Sequence, residues 1–261
     1  LYLQKYDVSE STIIKPNTIP QYHFELTAIS TNTTTVTSNS INMNLVGTPS
    51  IDSRNNSTCS LHISNTSQYL DLGEHRDLCF GNIGLCFNGL TIQIIVKFRV
   101  LDEGTVVLSS SGSNILGTGM EIVYQYGRLQ FAVSNAAHSW FASVGRDKIQ
   151  LNTYVKIIFS WSPKEGVKIV IDNHVVATSL TSIPHPTVST TNEHIYVGNS
   201  PSTTSTTVNL CIKSVIIYHA WIGDCVSGGI IPPPIESKNI AIIHIIIQLL
   251  CNFLPNGMYY I

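Results

Sequence analysis

Apolar and polar residues alternate along much of the chain between Tyr69 and Ile222. The clearest example is Thr91–Val100, TIQIIVKFRV, in which every second side chain from Ile92 onward is apolar. Because successive side chains of a strand point to opposite faces of a sheet, this pattern predicts strands with one buried face. About a dozen such segments, separated by turn residues and without a convincing long helix, favour an all-β sandwich or barrel.

Two hairpin turns stand out among the predicted strands. Gly127 separates one pair of alternating segments, and Asp172-Asn173 separates another. Gly, Asp and Asn tolerate left-handed backbone geometry, so both places are predicted to be tight turns between antiparallel strands. Ala142–Val144, which lies between these two hairpins, is predicted to be only a brief strand.

Composition divides the chain into three parts. Residues 1–19 form an irregular lead-in, residues 20–223 hold the predicted strands, and residues 224–261 form a tail that is first proline-rich and then apolar. Within the tail, Ile240–Leu254 is almost wholly apolar but only 15 residues long, whereas a membrane-spanning helix needs about 20. It is a truncated membrane anchor, an extra buried strand or helix, or an artefact of the gene model. We favour the last two together over the anchor.

Charge and glycosylation signals bear on partner and location. The formal net charge is −2 and the 14 basic residues are scattered, so electrostatics gives no reason to expect nucleic acid or an anionic membrane as partner. Ser, Thr and Asn are plentiful, and Asn-x-Ser/Thr acceptor sequences begin at Asn32, Asn55, Asn56 and Asn65. These features favour an extracellular glycoprotein, either secreted or part of a cell-surface ectodomain.

The cysteines predict one local disulfide and leave the others open. Cys79 and Cys86 flank FGNIGL, a short segment with two glycines and an asparagine. This spacing suits a local disulfide bond. Metal binding is the rival interpretation, but zinc sites usually need paired cysteines two to four residues apart or nearby histidines, and neither pattern is present.

The remaining cysteines do not settle their own pairing. Cys59 precedes an early strand, Cys211 begins the last strand, and Cys225 follows it. A Cys59–Cys211 bridge and a Cys211–Cys225 bridge both remain open, since sequence alone does not decide connectivity. Cys251 lies in the atypical tail and is expected to stay unpaired.

Several segments, taken in order, resemble laminin-G-like domains of the concanavalin A-like superfamily. QYHFELT, NLVGTPSI and LHISNTSQYLDLG resemble the opening of such domains, and CFGNIGLCFNGLTIQIIVKF resembles their cysteine-bracketed loop and following strand. YVKIIFSWSPKEGVKIVIDNHVVATS resembles their paired central strands, and IYVGN and LCIKSVIIYHAWIG resemble the closing ones. Departures occur at Ile95, Tyr154 and Asn173, where Trp, Trp and Gly are common. The resemblance implies a divergent, two-sheet antiparallel jelly-roll sandwich.

Catalysis must be tested because the resemblance includes glycoside hydrolases. Retaining hydrolysis needs two carboxyl groups about 5 Å apart, yet the 16 acids are dispersed. Glu121 is isolated on its strand, and Asp102-Glu103 precede a glycine in an apparent turn. No Gly-x-Ser-x-Gly elbow or metal-binding histidine spacing is present, so we predict that the chain is not an enzyme.

Two weak site candidates remain, each with an ordinary alternative. Asp71, Glu74 and Asp77 place three acids in one segment, and calcium favours such oxygen ligands. A polar turn without calcium is the simpler interpretation. Trp140 is a candidate for stacking on a sugar or protein partner from an exposed edge, whereas buried packing is the alternative that we favour. His75, His138 and His219 are interpreted as surface or rim residues, and Trp161 as core.

The sequence therefore predicts a non-catalytic extracellular module for recognition or adhesion. Its partner is expected to be a carbohydrate or an extracellular protein, bound through the rim loops on a disulfide-supported frame, with calcium as the candidate cofactor. A glycoside hydrolase or lyase on the same sandwich is the alternative, and a structural spacer is a third. An acidic pair about 5–10 Å apart in a groove would favour the enzyme.

Overall fold

The computed structural model describes residues 21–25, 44–47, 49, 61–65, 67–75, 78–110, 118–135, 137–185, 194–198 and 208–222. All of them belong to one compact unit, Gln21–Ile231, and fall within the predicted domain 20–223. The domain boundaries themselves remain predictions. No helix in the described part of the chain is long and apolar enough to cross a membrane, and the tail segment Ile240–Leu254 lies outside it.

Strands make up most of the described chain. In chain order they are β1 (Gln21–Glu25), β2 (Asn44–Val46), β3 (Leu61–Ile63), β4 (Tyr69–Glu74), β5 (Leu90–Phe98), β6 (Thr105–Ser109), β7 (Gly119–Gln125), β8 (Arg128–Ser134), β9 (His138–Gly145), β10 (Tyr154–Ser162), β11 (Gly166–Ile171), β12 (His174–Ser179), β13 (Ser182–Pro184), β14 (His194–Val197) and β15 (Leu210–Tyr218).

These strands form two antiparallel sheets. Sheet A has the order β1-β15-β5-β10-β11-β12, with β3 also pairing with β15. Sheet B has the order β13-β9-β8-β7-β6-β14-β4-β2. Because consecutive strands β5 and β6 lie in different sheets, the chain crosses between the layers. This arrangement confirms the predicted two-sheet jelly-roll sandwich.

The hairpins follow the turn chemistry read from the sequence. Tyr126 and Gly127 have φ of 53° and 69°, and Asp172 and Asn173 have φ of 46° and 68°. Positive φ at both central residues is the geometry that two-residue hairpins require. The prediction of a brief strand at Ala142–Val144 was wrong, because β9 extends over eight residues.

Aromatic side chains from the two sheets meet in the core. The rings of Trp140 on β9 and Trp161 on β10 are 5.2 Å apart in an edge-on arrangement. The rings of Phe131 on β8 and Phe159 on β10 are also 5.2 Å apart. Such pairs stabilise a core beyond their buried area. The contacts fix sheet B against sheet A, and Trp161 is core, as predicted.

The loop between β4 and β5 carries the predicted local disulfide. Cys79 and Cys86 are bonded, with their Cα atoms 4.7 Å apart. A short 3-10 turn, Ile83–Leu85, closes the loop, and the Asn82 side chain accepts a hydrogen bond from the backbone N–H of Gly84. Phe80 and Ile83 are buried beneath it. The loop is thus anchored by a covalent bond and by two core side chains.

His75 departs from its predicted surface position, whereas His138 is exposed as predicted. His75 is buried against Phe80, their rings 4.6 Å apart, and His219 contacts the same ring at 5.2 Å. Burial lowers the pKa of His75, and it lowers the pKa of His219 to about 4. Both imidazoles are therefore held neutral at pH 7.

Cys211 is also disulfide-bonded. Its partner lies outside the described residues, as do Cys59, Cys225 and Cys251. The choice between Cys59 and Cys225 therefore stays a prediction.

Removing the local disulfide should destabilise the domain. We expect the double variant Cys79→Ser/Cys86→Ser to lower the free energy of unfolding by about 2–3 kcal/mol, because the unfolded chain gains loop entropy. Urea denaturation measures the change, and Leu85→Ala, in the same loop, serves as the control with an effect within about 0.5 kcal/mol. Equal losses in both variants would show that packing, not the covalent bond, holds the loop.

Candidate functional site

A row of side chains in register crosses the outer face of sheet B. Directly paired residues on adjacent strands place it in the order Phe141, Ala132, Glu121, Ser109, Tyr196 and Asp71. We call these six residues the sheet-face row. With strands about 4.8 Å apart, the row is about 24 Å long.

The alternation of side chains along each strand directs the residues of the row away from the core. On β7, Met120 and Ile122 lie in the core, so Glu121 between them points to the opposite face. On β9, Trp140 and Ala142 lie in the core, so Phe141 faces outward. Directly opposite residues of antiparallel strands lie on the same face of the sheet. All six residues of the row therefore point away from the core.

Burial along the row is deepest at its centre. Ser109, Glu121 and Ala132 are buried, whereas Phe141 at one end is 47% exposed. At the other end the side chain of His194, beside Asp71, is 44% exposed. The two ends of the row are therefore exposed, and its polar centre is withdrawn from solvent.

Glu121 is the most perturbed acid of the row. It is 5% exposed, and burial alone raises the pKa of its carboxyl to about 7. No hydrogen bond or ion pair joins this carboxyl to another of the described residues. A buried acid that is strongly shifted and lacks a partner is a candidate for a functional role.

Ser109, directly opposite Glu121, is a second buried polar group of the same kind. Its hydroxyl oxygen has no hydrogen-bond partner among the described residues. Side chains in such opposed positions lie about 5 Å apart at Cβ. A carboxyl that accepts and a hydroxyl that both donates and accepts thus stand side by side without partners.

Asp71 ends the row in an ordered contact. Its two carboxylate oxygens lie 3.1 and 3.2 Å from Nδ1 of His194, and one accepts a hydrogen bond from the backbone N–H of Gly73. The His194 ring stacks on Tyr196, with centroids 5.9 Å apart. This end therefore presents two rings held in place by a carboxylate.

A second group of hydroxyls lies on the same face, beside the row. The hydroxyls of Ser134 on β8 and Ser139 on β9 are 2.6 Å apart, and Nε2 of His185 lies 3.1 Å from Ser134. This group offers two hydroxyls and an imidazole nitrogen for hydrogen bonding.

The favoured interpretation of Trp140, buried packing, is confirmed, and the weaker candidate role at an exposed stacking edge is wrong. Trp140 is 5% exposed and packs against Trp161 in the core. Its neighbour Phe141 takes the exposed position instead. Because Trp140 and Phe141 are adjacent and both aromatic, the sequence alone does not show which of them faces the core. The pairing of Trp140 with the buried Val133 on β8 shows that Trp140 faces inward.

Of the three acids predicted to hold calcium, the structure describes Asp71 and Glu74. Asp71 lies on β4 and faces His194 of β14. Glu74 is exposed at the end of β4, and Asp77 lies outside the described residues. Among the described residues, no three His, Cys, Asp or Glu side chains form a group suited to a metal ion. The calcium site therefore stays a prediction.

The sheet-face row also bears on the alternative that the chain is a glycoside hydrolase. Its two acids, Glu121 and Asp71, are separated by three strand steps, or about 14 Å. Glycoside hydrolysis needs two carboxyls about 5–9.5 Å apart. The row does not supply such a pair.

Asn65 is the one predicted glycan acceptor that the described residues include. It is exposed in the turn between β3 and β4, and its side chain accepts hydrogen bonds from the backbone N–H and the hydroxyl of Ser67. Asn32, Asn55 and Asn56 lie outside the described residues. Glycosylation remains a prediction.

The central residues of the site were not found from sequence. Glu121 was noted only as an isolated acid, although its outward phase between Met120 and Ile122 is readable in the strand. Ser109 carried no signal, because the unpartnered hydroxyl becomes notable only once β6 and β7 are paired.

A family model described as the concanavalin A-like lectin/glucanases superfamily matches residues 64–222. No curated protein sequence matches the chain.

Solved structures with the same fold include botulinum neurotoxins. One is botulinum neurotoxin type C, whose cell entry depends on two ganglioside molecules, with 12% identity, a TM-score of 0.51 and coverage of 87% of this chain and 51% of that one. Another is the binding domain of botulinum neurotoxin DC in complex with rat synaptotagmin II, with 10% identity, a TM-score of 0.53 and coverage of 87% and 51%. The chain spans about half the length of these domains.

A carbohydrate-active enzyme supplies another similar domain. Domain 4 of the extracellular GH43 arabinanase AbnA from Geobacillus stearothermophilus, in complex with arabinotriose, has 15% identity and a TM-score of 0.47, with coverage of 71% of this chain and 86% of that one.

Replacing the buried carboxyl should change how stability depends on pH. Because the folded-state pKa of Glu121 is raised from 4.5 to about 7, charging it costs stability as pH rises through about 7. Glu121→Gln mimics the protonated acid. We expect no difference from wild type below about pH 4.5 and a gain of about 3 kcal/mol in the free energy of unfolding above pH 8.

Urea denaturation at the two pH values measures this difference. Glu165→Gln is the control, because Glu165 is a part-exposed carboxyl on a turn. Its effect should be small at both values. Parallel pH profiles for wild type and Glu121→Gln would contradict a desolvated carboxyl in the row.

Proposed function

Because the chain belongs to the concanavalin A-like lectin/glucanases superfamily, we propose that its described domain is a non-catalytic binding module whose ligand is a carbohydrate held on the sheet-face row. The observation that carries this function is the pair Glu121 and Ser109, buried side by side and without partners in the described part of the chain. Buried polar groups are normally hydrogen-bonded. A bound ligand with hydroxyl groups supplies the missing partners.

The chemistry of the row suits a sugar. A sugar hydroxyl donates to the carboxyl of Glu121 or accepts from the hydroxyl of Ser109. Phe141, exposed at one end, offers an apolar ring face, and Tyr196 with His194 offers two more rings at the other. A ring platform flanking a few placed polar groups is typical of a binding site for a small ligand.

Binding rather than catalysis agrees with the separation of the acids. Glu121 and Asp71 are too far apart to act as a glycosidase pair, and Asp71 already faces His194. One of the toxin structures that share the fold is named as a binding domain. These facts support a recognition role for the module, and adhesion is its expected use.

The module is further proposed to act outside the cell. The Cys79–Cys86 bond and the bonded Cys211 support an oxidising compartment. The exposed Asn65 is a suitable glycan acceptor there. Calcium stays in the proposal as the candidate cofactor, because Asp71 and Glu74 belong to one strand and Asp77 is three residues further along the sequence.

Glycan-array binding tests the function directly. We expect wild-type protein to bind at least one glycan class at pH 7, and the array is run with calcium and with a chelator to assign cofactor dependence. Glu121→Gln should weaken binding about tenfold or more, since it replaces a charge-assisted hydrogen bond. Phe141→Ala should weaken it by about three- to tenfold through loss of ring contact.

The matched control is Tyr126→Ala, which removes an aromatic ring that is 83% exposed but lies off the row. Its affinity should equal that of wild type. No glycan bound in either condition would reject the carbohydrate ligand. Binding that survives both Glu121→Gln and Phe141→Ala would place the site elsewhere, on the rim loops expected from the sequence.

A further inference from the structure

The hydroxyl group beside the sheet-face row offers a second contact to a ligand. Ser134 on β8 pairs directly with Ser139 on β9, and Ser139 pairs on its other side with Ile183 on β13. His185 follows β13 and contacts Ser134. We call these four residues the serine site. We propose that the ligand is a neutral oligosaccharide of at least two sugar rings, which binds the sheet-face row and the serine site together. This inference rests on the proposed function, because the row holds the first ring.

The serine site lies on the same outer face of sheet B as the row. On β8, Val133 lies in the core, so its neighbour Ser134 points outward. On β9, Trp140 lies in the core, so its neighbour Ser139 also points outward. Ile183 is directly opposite Ser139 and therefore shares this face. One ligand lying on the face therefore meets both groups of residues.

The distance between the two polar centres sets the minimum size of the ligand. On β8, Ala132 lies opposite Glu121, and Ser134 is two residues further along. Ser139 lies opposite Ser134 on the next strand. With strands about 4.8 Å apart and about 3.4 Å per residue, Glu121 and Ser139 are separated by about 12 Å. A single sugar ring is shorter than this distance, so a ligand that contacts both residues contains two or more rings.

Small residues leave space between the two polar centres. Ala132 lies opposite Glu121, and Gly119 on β7 lies opposite Ser134. Glycine has no side chain and alanine has only Cβ, so neither position places a bulky group between Glu121 and the serine site. A chain of sugar rings fits across these two positions.

The hydrogen bonds of the serine site leave Ser139 able to bind a hydroxyl group. Oγ of Ser134 lies 2.6 Å from Oγ of Ser139 and 3.1 Å from Nε2 of His185. When Nε2 accepts from Ser134, Ser139 donates to Ser134 and keeps lone pairs for a ligand. When Nε2 carries the proton and donates to Ser134, Ser134 donates to Ser139, whose own proton stays available. Ser139 thus offers either an acceptor or a donor, as a sugar hydroxyl requires.

Two exposed apolar side chains border Ser139. Phe141 is two residues along β9 on the same face, and Ile183 is directly opposite Ser139. Phe141 and Ile183 are 47% and 48% exposed, whereas Ser139 is buried. A polar group between apolar surfaces suits a sugar ring, because its C–H groups pack on apolar side chains while its hydroxyls bond to polar atoms.

The charges of the two sites favour a neutral sugar. The row contributes the carboxyls of Glu121 and Asp71, and neither the row nor the serine site contains Lys or Arg. A carboxylate, sulfate or phosphate group on the ligand would lie beside these acids, and like charges in an interface repel. A neutral oligosaccharide avoids this repulsion.

A glycan array ordered by chain length tests the inference with the full chain. Neutral oligosaccharides of glucose, galactose, mannose and N-acetylglucosamine, from monosaccharide to hexasaccharide, are compared with sialylated and sulfated oligosaccharides. We expect the longer neutral members of one series to bind about tenfold or more tightly than its monosaccharide, because the serine site adds contacts. The sialylated and sulfated oligosaccharides should bind more weakly than the neutral ones.

Variants of the serine site separate its contribution from that of the row. Ser139→Ala should weaken binding of the longer members about three- to tenfold, the effect of one lost hydrogen bond, and leave monosaccharide binding unchanged. Ile183→Ser should act in the same way through lost apolar contact, and its exposed position should not prevent folding. The matched control is Ser143→Ala, because Ser143 lies on the other side of Phe141 and its hydroxyl already accepts a hydrogen bond from Arg128. This control should bind every glycan as wild type does.

The outcomes distinguish the serine site from the row. Equal affinity for monosaccharide and hexasaccharide, wild-type affinity of both Ser139→Ala and Ile183→Ser for the longer members, or tighter binding of acidic oligosaccharides would each overturn the inference. In each of these cases, loss of binding in Glu121→Gln would still support the row. Absence of binding to every glycan would reject the row and the serine site together.

Discussion

Contact between the aromatic side chains of the two sheets sets the direction of every neighbouring side chain. Trp140 against Trp161 and Phe131 against Phe159 fix β8 and β9 over β10. Since side chains alternate along a strand, the residues flanking each inward ring must point away from the core. Phe141 is displayed because Trp140 is buried. The core therefore determines which side chains are available for function.

That constraint explains why Glu121 stands where its burial is unfavourable. Its neighbours Met120 and Ile122 occupy the core, so the carboxyl is committed to the outer face beside Ser109. Burial raises its pKa to about 7, and the ionised form destabilises the fold. Natural proteins tolerate such local costs where activity needs them. A ligand that supplies hydrogen bonds to Glu121 and Ser109 relieves the cost, which couples binding to stability.

The sequence predicts the scaffold better than the site because the scaffold is encoded locally. Alternation identifies β5, and Asp172-Asn173 identifies the hairpin between β11 and β12 from adjacent residues alone. The Cys79–Cys86 bond is similarly local. The length of β9 was underestimated because Ser139, Ala142 and Ser143 mask the alternation of apolar and polar residues in this strand. The strand β13 was not predicted, because Pro184 is unusual in strands. The contact of Asp71 with His194 joins residues 123 positions apart, so it could not be inferred from three neighbouring acids.

Strand direction places the sheet-face row near one end of the sandwich. β4 leads into the disulfide loop, β5 leaves it, and β6 and β7 meet at the same end of the sandwich, opposite the Tyr126 turn. Ser109 is the last residue of β6 and Glu121 the third of β7, so the row lies within about 10 Å of that end along the strands. Asn65 lies at the other end, where a glycan would not obstruct it.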